Sequence, residues 1–253
     1  ACKIFNSFDL CLSSSEKTKE YLTKLNAKNI FYIGNIKLTS SVDVKNISKH
    51  NENILRNNKF WCAASTHEGE EILCLKTHLL LKQKYKKILT IIIPRHIHRV
   101  TEINKLCDKF NLKSQILNLQ DNILNDVNII IINSFGVMPD FFKYSKSVFV
   151  GKSTIKKLKH DGGQNPVDAA KLGCKIYHGP YVYNFQEIYK ILNDNNISFQ
   201  INNSKELAEK LIEDLQDNKK NLGESISLIK SLSERILSET MVKINKIIFN
   251  ENI

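Results

Sequence analysis

The chain has 253 residues, 42% hydrophobic and 25% charged, which is the composition of an ordinary globular fold with a sizeable core. Its net charge of +11 favours acidic partners such as phosphates, anionic lipid surfaces or nucleic acid. No apolar run reaches the length of a membrane span, no signal-peptide pattern opens the chain, and six scattered cysteines without a C-x-x-C pair read as buried reduced thiols rather than a disulfide framework.

In chain order, residues 8–12 read as a short buried strand, 14–25 as a helix capped by Ser14 or Ser15, and 29–33 as another strand running into Gly34-Asn35-Ile36-Lys37. Residues 39–57 are polar, lack a firm period and read as a linker. A regular alternation follows. Strands are expected at 59–64, 88–93, 114–117, 127–132, 147–150, 174–178 and 197–200. Helices are expected at 69–85, 100–110, 139–144, 166–172, 185–193 and 204–216. This rhythm predicts an α/β layer around a parallel sheet. The continuous apolar runs Ile91-Ile92-Ile93 and Ile129-Ile130-Ile131-Ile132 suit strands covered on both faces. Residues 221–249 form an amphipathic helix or helix pair, with Leu222, Ile226, Ile229, Leu232 and Ile236 three or four apart.

In an open parallel sheet, ligands bind beyond the carboxyl ends of the strands. That rule puts residues 65–68, 94–96, 133–137, 151–165 and 179–184 on one rim. At its first segment, Ser65 and Glu68 have capping-box spacing, which leaves His67 unexplained; Ser65, Thr66 and His67 are candidates to face an acidic sugar or phosphate. Pro94-Arg95-His96 ends a buried strand with a planar cation suited to two anion oxygens at once. His96-x-His98 alone is too sparse for a metal site, and none is expected.

At Gly162-Gly163-Gln164-Asn165-Pro166-Val167-Asp168, a tight turn leads into a helix with Asn165 as cap, Pro166 first and Asp168 third. Such a start suits a phosphate, and Asp168 suits either the helix dipole or a ribose diol. Asn184 with Glu187 reads as the cap of the next helix. No Walker loop, G-x-G-x-x-G fingerprint or nucleophile elbow occurs. The basic stretches lack interleaved aromatics, so nucleic acid is not an expected partner.

In order, Ala63-Ala64-Ser65-Thr66-His67-Glu68-Gly69-Glu70-Glu71, Pro94-Arg95-His96, Gly162 to Asp168, and Gly179-Pro180 with Asn184-Phe185-x-Glu187-Ile188 resemble the 3-deoxy-D-manno-octulosonic acid (Kdo) transferases. Gly34-Asn35-Ile36-Lys37 is similar to that family's G-N-x-K segment. The resemblance implies a GT-B type glycosyltransferase that passes Kdo from CMP-Kdo to the lipid A precursor at the cytoplasmic face of the inner membrane, by peripheral association and without a cofactor. It implies residues 1–38 as the end of a first, acceptor domain, 39–57 as linker, 58–220 as the Rossmann-like CMP-Kdo domain and 221–253 as a helical tail.

The family's CMP-holding segments fall on Pro94-Arg95, on Phe135-Gly136-Val137 and on Asn165-Pro166-Val167-Asp168, with His96 and Gly162 to Gln164 as further donor contacts. Two positions depart from the family. Val137 stands where a glutamate is usual, and Asp168 is one methylene shorter than the usual glutamate. The family's catalytic base is expected in the first domain, ahead of Ala1. The alternatives are a UDP-sugar transferase or 2-epimerase of the same architecture, or a non-catalytic nucleotide-sugar-binding remnant.

Overall fold

A computed structural model describes residues 2–45, 47–216 and 223–249. Two compact units are present, 1–41 with 226–253, and 42–225. The first opens with α1 (Cys2–Phe5), β1 (Cys11–Ser13), α2 (Glu16–Lys24) and β2 (Ile30–Tyr32). Ser15 caps α2 by accepting from the Thr18 N–H, and β1 pairs in parallel with β2. The expected strand at 8–12 is therefore shorter and begins later, with Leu12 facing outward.

The second unit begins with α3 (Lys49–Asn57), a helix inside the stretch read as linker. Its buried face combines one apolar side chain, Leu55, with a polar anchor. Asn51 is buried, donates to the Asp121 carbonyl and accepts from the Ile123 N–H, while Ser48 caps the helix. Then follow β3 (Lys59–Thr66), α4 (Glu70–Lys84), β4 (Ile88–Pro94), α5 (Val100–Lys109), β5 (Ser114–Leu117), β6 (Ile129–Ile132), α6 (Met138–Phe142), β7 (Ser147–Val150), α7 (Val167–Lys171), β8 (Lys175–His178), α8 (Gln186–Asp194), β9 (Ser198–Gln200) and α9 (Ser204–Gln216). The helix α10 (Gly223–Ile248) groups with the first unit from residue 226 onward and is one continuous helix rather than a pair. The expected start of this segment at Asn221-Leu222 lies outside the described residues. Within the first unit, Gly34 has φ +110°, and a Cβ there would sit 3.0 Å from Ile236 Cδ1, so a side chain is disfavoured twice over.

All the pairings in the seven-stranded sheet are parallel, in the order β5-β6-β4-β3-β7-β8-β9. Alternate side chains explain why the strands read as unbroken apolar runs. Trp61, Ala63, Ile92, Ile129, Ile131, Phe149 and Tyr177 join a core with α4, α5 and α9. Their neighbours Cys62, Ala64, Ile91, Ile130, Val148 and Ile176 are equally buried on the opposite side. Both faces are covered, so strand periodicity is silent while β-propensity is loud. The order reverses between β3 and β7, and the crevice beyond their carboxyl ends is the topological switch point of such sheets.

One buried histidine gives the fold a pH limit. His78 of α4 is 0% exposed, its Nδ1 lies 2.9 Å from Thr90 Oγ1 of β4, and its Nε2 has no partner. Burial, helped by the charge of Lys82, lowers its pKa to about 4. The unfolded chain takes up the proton near pH 6.5 and the folded chain only near 4, so stability is full above the unfolded value and falls as pH drops between the two. Lowering the pH from 7 to 5 should cost about 2 kcal/mol through this residue. Urea titrations of the native chain and of His78→Gln at both pH values check this. The variant is expected to lose less stability on acidification by that amount.

Candidate functional site

The rim at the switch point is built from the segments following β3, β4, β6, β7 and β8. At the end of β3, a register shift between Ala64 and Thr66 puts Ser65 at φ 53°. Such a left-handed backbone in a β-strand residue marks a position held by its surroundings. Ser65 Oγ lies 3.5 Å from Met138 Sδ and caps nothing. Gly69 at φ 95° is the N-cap of α4, and Glu70, not Glu68, reaches back to the His67 N–H at 3.0 Å. The expected Ser65–Glu68 capping box is therefore absent, because the bulge turns Ser65 away from the helix start. Ser65 and Thr66 are 7% and 0% exposed, which leaves His67 as the one side chain of that trio within reach of a ligand.

The two first-turn glutamates of α4 are both committed. Glu71 is 1% exposed and receives Arg99 in a two-pronged pair, Nη1 to Oε1 at 2.8 Å and Nη2 to Oε2 at 3.3 Å. Burial pushes its carboxyl up and Arg99 pulls it back down. Glu70 is 0% exposed and accepts from the N–H groups of Lys152, Ser153 and Thr154 in the segment after β7. Neither carboxylate is available as a base.

Beyond β4, the Arg95 N–H donates to the Thr66 carbonyl, which fixes its backbone against β3. The Arg95 side chain is exposed and has no ion-pair partner among the described residues. Beside it, His67 and His96 meet edge to face at 5.6 Å, and His96 stacks on His98 at 5.5 Å. Burial lowers the pKa of His67, and the charges of His96 and Lys152 lower it further, against the pull of the Ser65 carbonyl and Glu70. Among the described residues no group of three or more His, Cys, Asp or Glu is placed to hold a metal ion.

After β6, Phe135 is 68% exposed and Gly136 turns the chain at φ 74°. Val137, by contrast, is 6% exposed and lines a cleft of about 240 Å³ with Lys45, Ser48, Asn51, Leu117 and Asp140. Its side chain is thus buried, and the Phe135 ring and the backbone are what this segment leaves exposed.

The glycine-rich turn after β7 has a packing purpose. A Cβ on Gly162 would sit 2.5 Å from the Tyr181 carbonyl, and the Gly163 N–H is spent on the Lys152 carbonyl at 2.6 Å. The helix behind it, α7, has five residues and begins one position later than expected, with Pro166 as N-cap and Asp168 second. Asn165 still serves the turn, accepting from the Val167 N–H at 3.1 Å. So short a helix carries little macrodipole, and the anion-binding reading of its start loses force. Asp168 keeps its interest. It is part-buried, has no hydrogen-bond partner among the described residues, and burial raises its pKa against the pull of Lys171. Gln164, beside it, offers its carbonyl to the buried Tyr189 hydroxyl at 3.0 Å. Asn184 does not cap α8; its Nδ2 binds the Asp161 carbonyl and carboxylate at 3.0 Å and ties the β8 segment to the β7 segment.

The segments after these strands therefore carry a guanidinium without an ion-pair partner among the described residues, a histidine cluster, an exposed phenylalanine and a part-buried carboxylate beside the charge of Lys171. That set can grip an anion, a planar ring and a diol. Sequence reasoning placed all of these segments on the rim but missed Glu70 as their fastener.

No protein-family model matches the chain. Its sequence is 26% identical over 206 residues to the 3-deoxy-D-manno-octulosonic acid transferase of Aquifex aeolicus, covering 81% of this chain and 54% of that protein. It is 31% identical over 161 residues to the enzyme of the same name from Haemophilus influenzae, covering 63% of this chain and 36% of that one. The chain thus spans about a third to a half of the length of these curated relatives. Among solved structures, the C-terminal CMP-Kdo binding domain of WaaA from Acinetobacter baumannii matches with a TM-score of 0.61 at 22% identity, over 80% of this chain and 97% of that domain. A UDP-N-acetylglucosamine 2-epimerase from Listeria monocytogenes, described as putative, gives the same TM-score of 0.61 at 13% identity over 96% of the chain. The fold is the α/β fold of GT-B glycosyltransferases.

Proposed function

We propose that this chain is the donor-binding part of a 3-deoxy-D-manno-octulosonic acid transferase, which moves Kdo from CMP-Kdo to the lipid A precursor in lipopolysaccharide biosynthesis. The observation that carries the reading is the switch-point rim, where the Arg95 side chain has no ion-pair partner and the Asp168 carboxylate no hydrogen-bond partner among the described residues, in a chain whose curated relatives include Kdo transferases. Arg95 takes phosphate oxygens of CMP in its planar fork. Asp168 accepts hydrogen bonds from the ribose diol, and the backbone at Phe135-Gly136 and at Asn165 borders the nucleotide. His67 and His96 lie on the donor sugar's side.

Transfer in this reading is a direct displacement at the anomeric carbon of Kdo. A base takes the proton of the acceptor hydroxyl while CMP departs with the bonding pair. Glu70 and Glu71 are both engaged inside the fold and are not assigned as the base. The rim residues named above contribute positioning and charge stabilisation of the leaving nucleotide. The donor is the only small molecule the reaction requires. An acceptor lipid would set the work at the cytoplasmic face of the inner membrane, with this chain peripheral to it; no helix among the described residues is long and apolar enough to cross a membrane.

The test is transfer from CMP-Kdo to a lipid A precursor by this chain, alone and mixed with the separately produced first domain of a curated relative. Product is expected only in the mixture. Transfer by the chain alone would refute the assignment of the base elsewhere.

A further inference from the structure

Glu70 is the most heavily bonded side chain on the rim, and nothing in the chemistry above uses it. Its Oε2 accepts from the N–H groups of His67 at 3.0 Å and Lys152 at 2.7 Å. Its Oε1 accepts from the N–H groups of Ser153 at 2.9 Å and Thr154 at 3.1 Å, and from Thr154 Oγ1 at 3.0 Å. Lys152 sits at φ 56°, a conformation that turns successive amides towards one point. Such a concavity of N–H groups is a nest for an anion. Here the chain fills it with a carboxylate of its own, 0% exposed, and Gly151 makes room, since a Cβ there would lie 2.7 Å from Glu70 Oε2.

The consequences spread from this point. Ser153 Oγ donates to the Val150 carbonyl and accepts from the Gly179 N–H, and the Ser153 carbonyl accepts from the Tyr181 N–H. The Lys152 carbonyl accepts from the Gly163 N–H, and the Gly162 carbonyl from the Asn184 N–H. The segments after β3, β7 and β8 are thus strung on residues 152–154, which hang on Glu70. From Gly163 the chain runs directly on to Asn165 and Asp168.

We infer that Glu70 is a positioning residue for the donor site: an internal anion that occupies the β7 nest, fixes residues 151–165, and so sets Asn165 and Asp168 for the ribose. It also leaves the donor's phosphate to Arg95 rather than to the nest. The inference rests on the donor-binding reading above for its effect on affinity, but its effect on the loop stands apart from it.

The substitution Glu70→Gln keeps the shape and turns one acceptor oxygen into a donor facing donors. In nitrogen-resolved proton NMR, the amides of Lys152, Ser153 and Thr154 are expected to lie downfield in the native chain and to move upfield in the variant. Hydrogen exchange across 151–165 should quicken, and CMP affinity should fall about tenfold, the equivalent of one charge-assisted hydrogen bond. Unchanged exchange in a folded variant overturns the inference, whatever CMP does. Faster exchange with unchanged CMP affinity overturns the positioning role. Failure of the native chain to bind CMP sinks the donor reading instead, and the exchange data then judge the loop on their own. If Glu70→Gln does not fold, Thr154→Val removes one donor to Glu70, and the same readouts apply with an expected loss of about threefold.

Discussion

Replacing Arg95 with alanine is expected to weaken CMP binding by roughly ten- to a hundredfold, as the loss of a charge-assisted, two-pronged contact worth about 1.5–3 kcal/mol requires. The size of the effect follows from its freedom in the unbound protein. Arg99, four residues on, is spent on Glu71 and Glu102, and its replacement would disturb the fold. Arg95 has no such partner among the described residues, so its removal should leave melting unchanged and act on affinity alone. Arg95→Lys keeps the charge but not the planar fork, and should recover only part of the loss. Calorimetric titration of CMP into the three proteins measures it. A change under about threefold for Arg95→Ala would remove Arg95 from the phosphate contact.

The second large effect concerns stability. Asp214 of α9 has a side chain only 3% exposed and accepts from Ser147 Oγ at 2.6 Å, Tyr177 Oη at 2.7 Å and Lys175 Nζ at 2.7 Å. It fastens α9 to the starts of β7 and β8, at the end of the sheet opposite the rim. Asp214→Ala leaves two buried hydroxyls without an acceptor, and the expected loss is about 3–5 kcal/mol. Asp214→Asn keeps one acceptor oxygen and should lose less than half as much. The single tryptophan, Trp61, is fully buried in the same unit and reports unfolding in urea by its fluorescence. A loss below about 1 kcal/mol for the alanine variant would show that water or rearrangement replaces Asp214.

The layered fold was legible because its strands are apolar on both faces and alternate with helical stretches. The parallel sheet and the rim followed from that alternation; the order of the strands did not. Helix α3 went unread because the stretch is polar overall and one of its two buried anchors is the amide of Asn51, beside Leu55. The Ser65–Glu68 spacing misled because the bulge at Ser65 breaks the geometry that a capping box presumes, and Glu70 takes over by accepting from the His67 N–H while it also holds a loop about eighty residues away. Arg95 and Arg99 look alike in the sequence. Only the placement of Glu71 on the first turn of α4 tells which one is spoken for. The Gly162-Gly163 pair suggested a phosphate cradle, yet its lack of side chains serves the close approach of Tyr181 and Val182.

The measurement that bears most directly on the donor-site reading is a calorimetric titration of this chain with CMP, UMP and UDP under identical conditions. CMP is expected to bind with one-to-one stoichiometry and at least about tenfold more tightly than either uridine nucleotide, a gap of about 1.4 kcal/mol. A clear preference for UMP or UDP would contradict the reading and assign the rim to a uridine-nucleotide sugar instead.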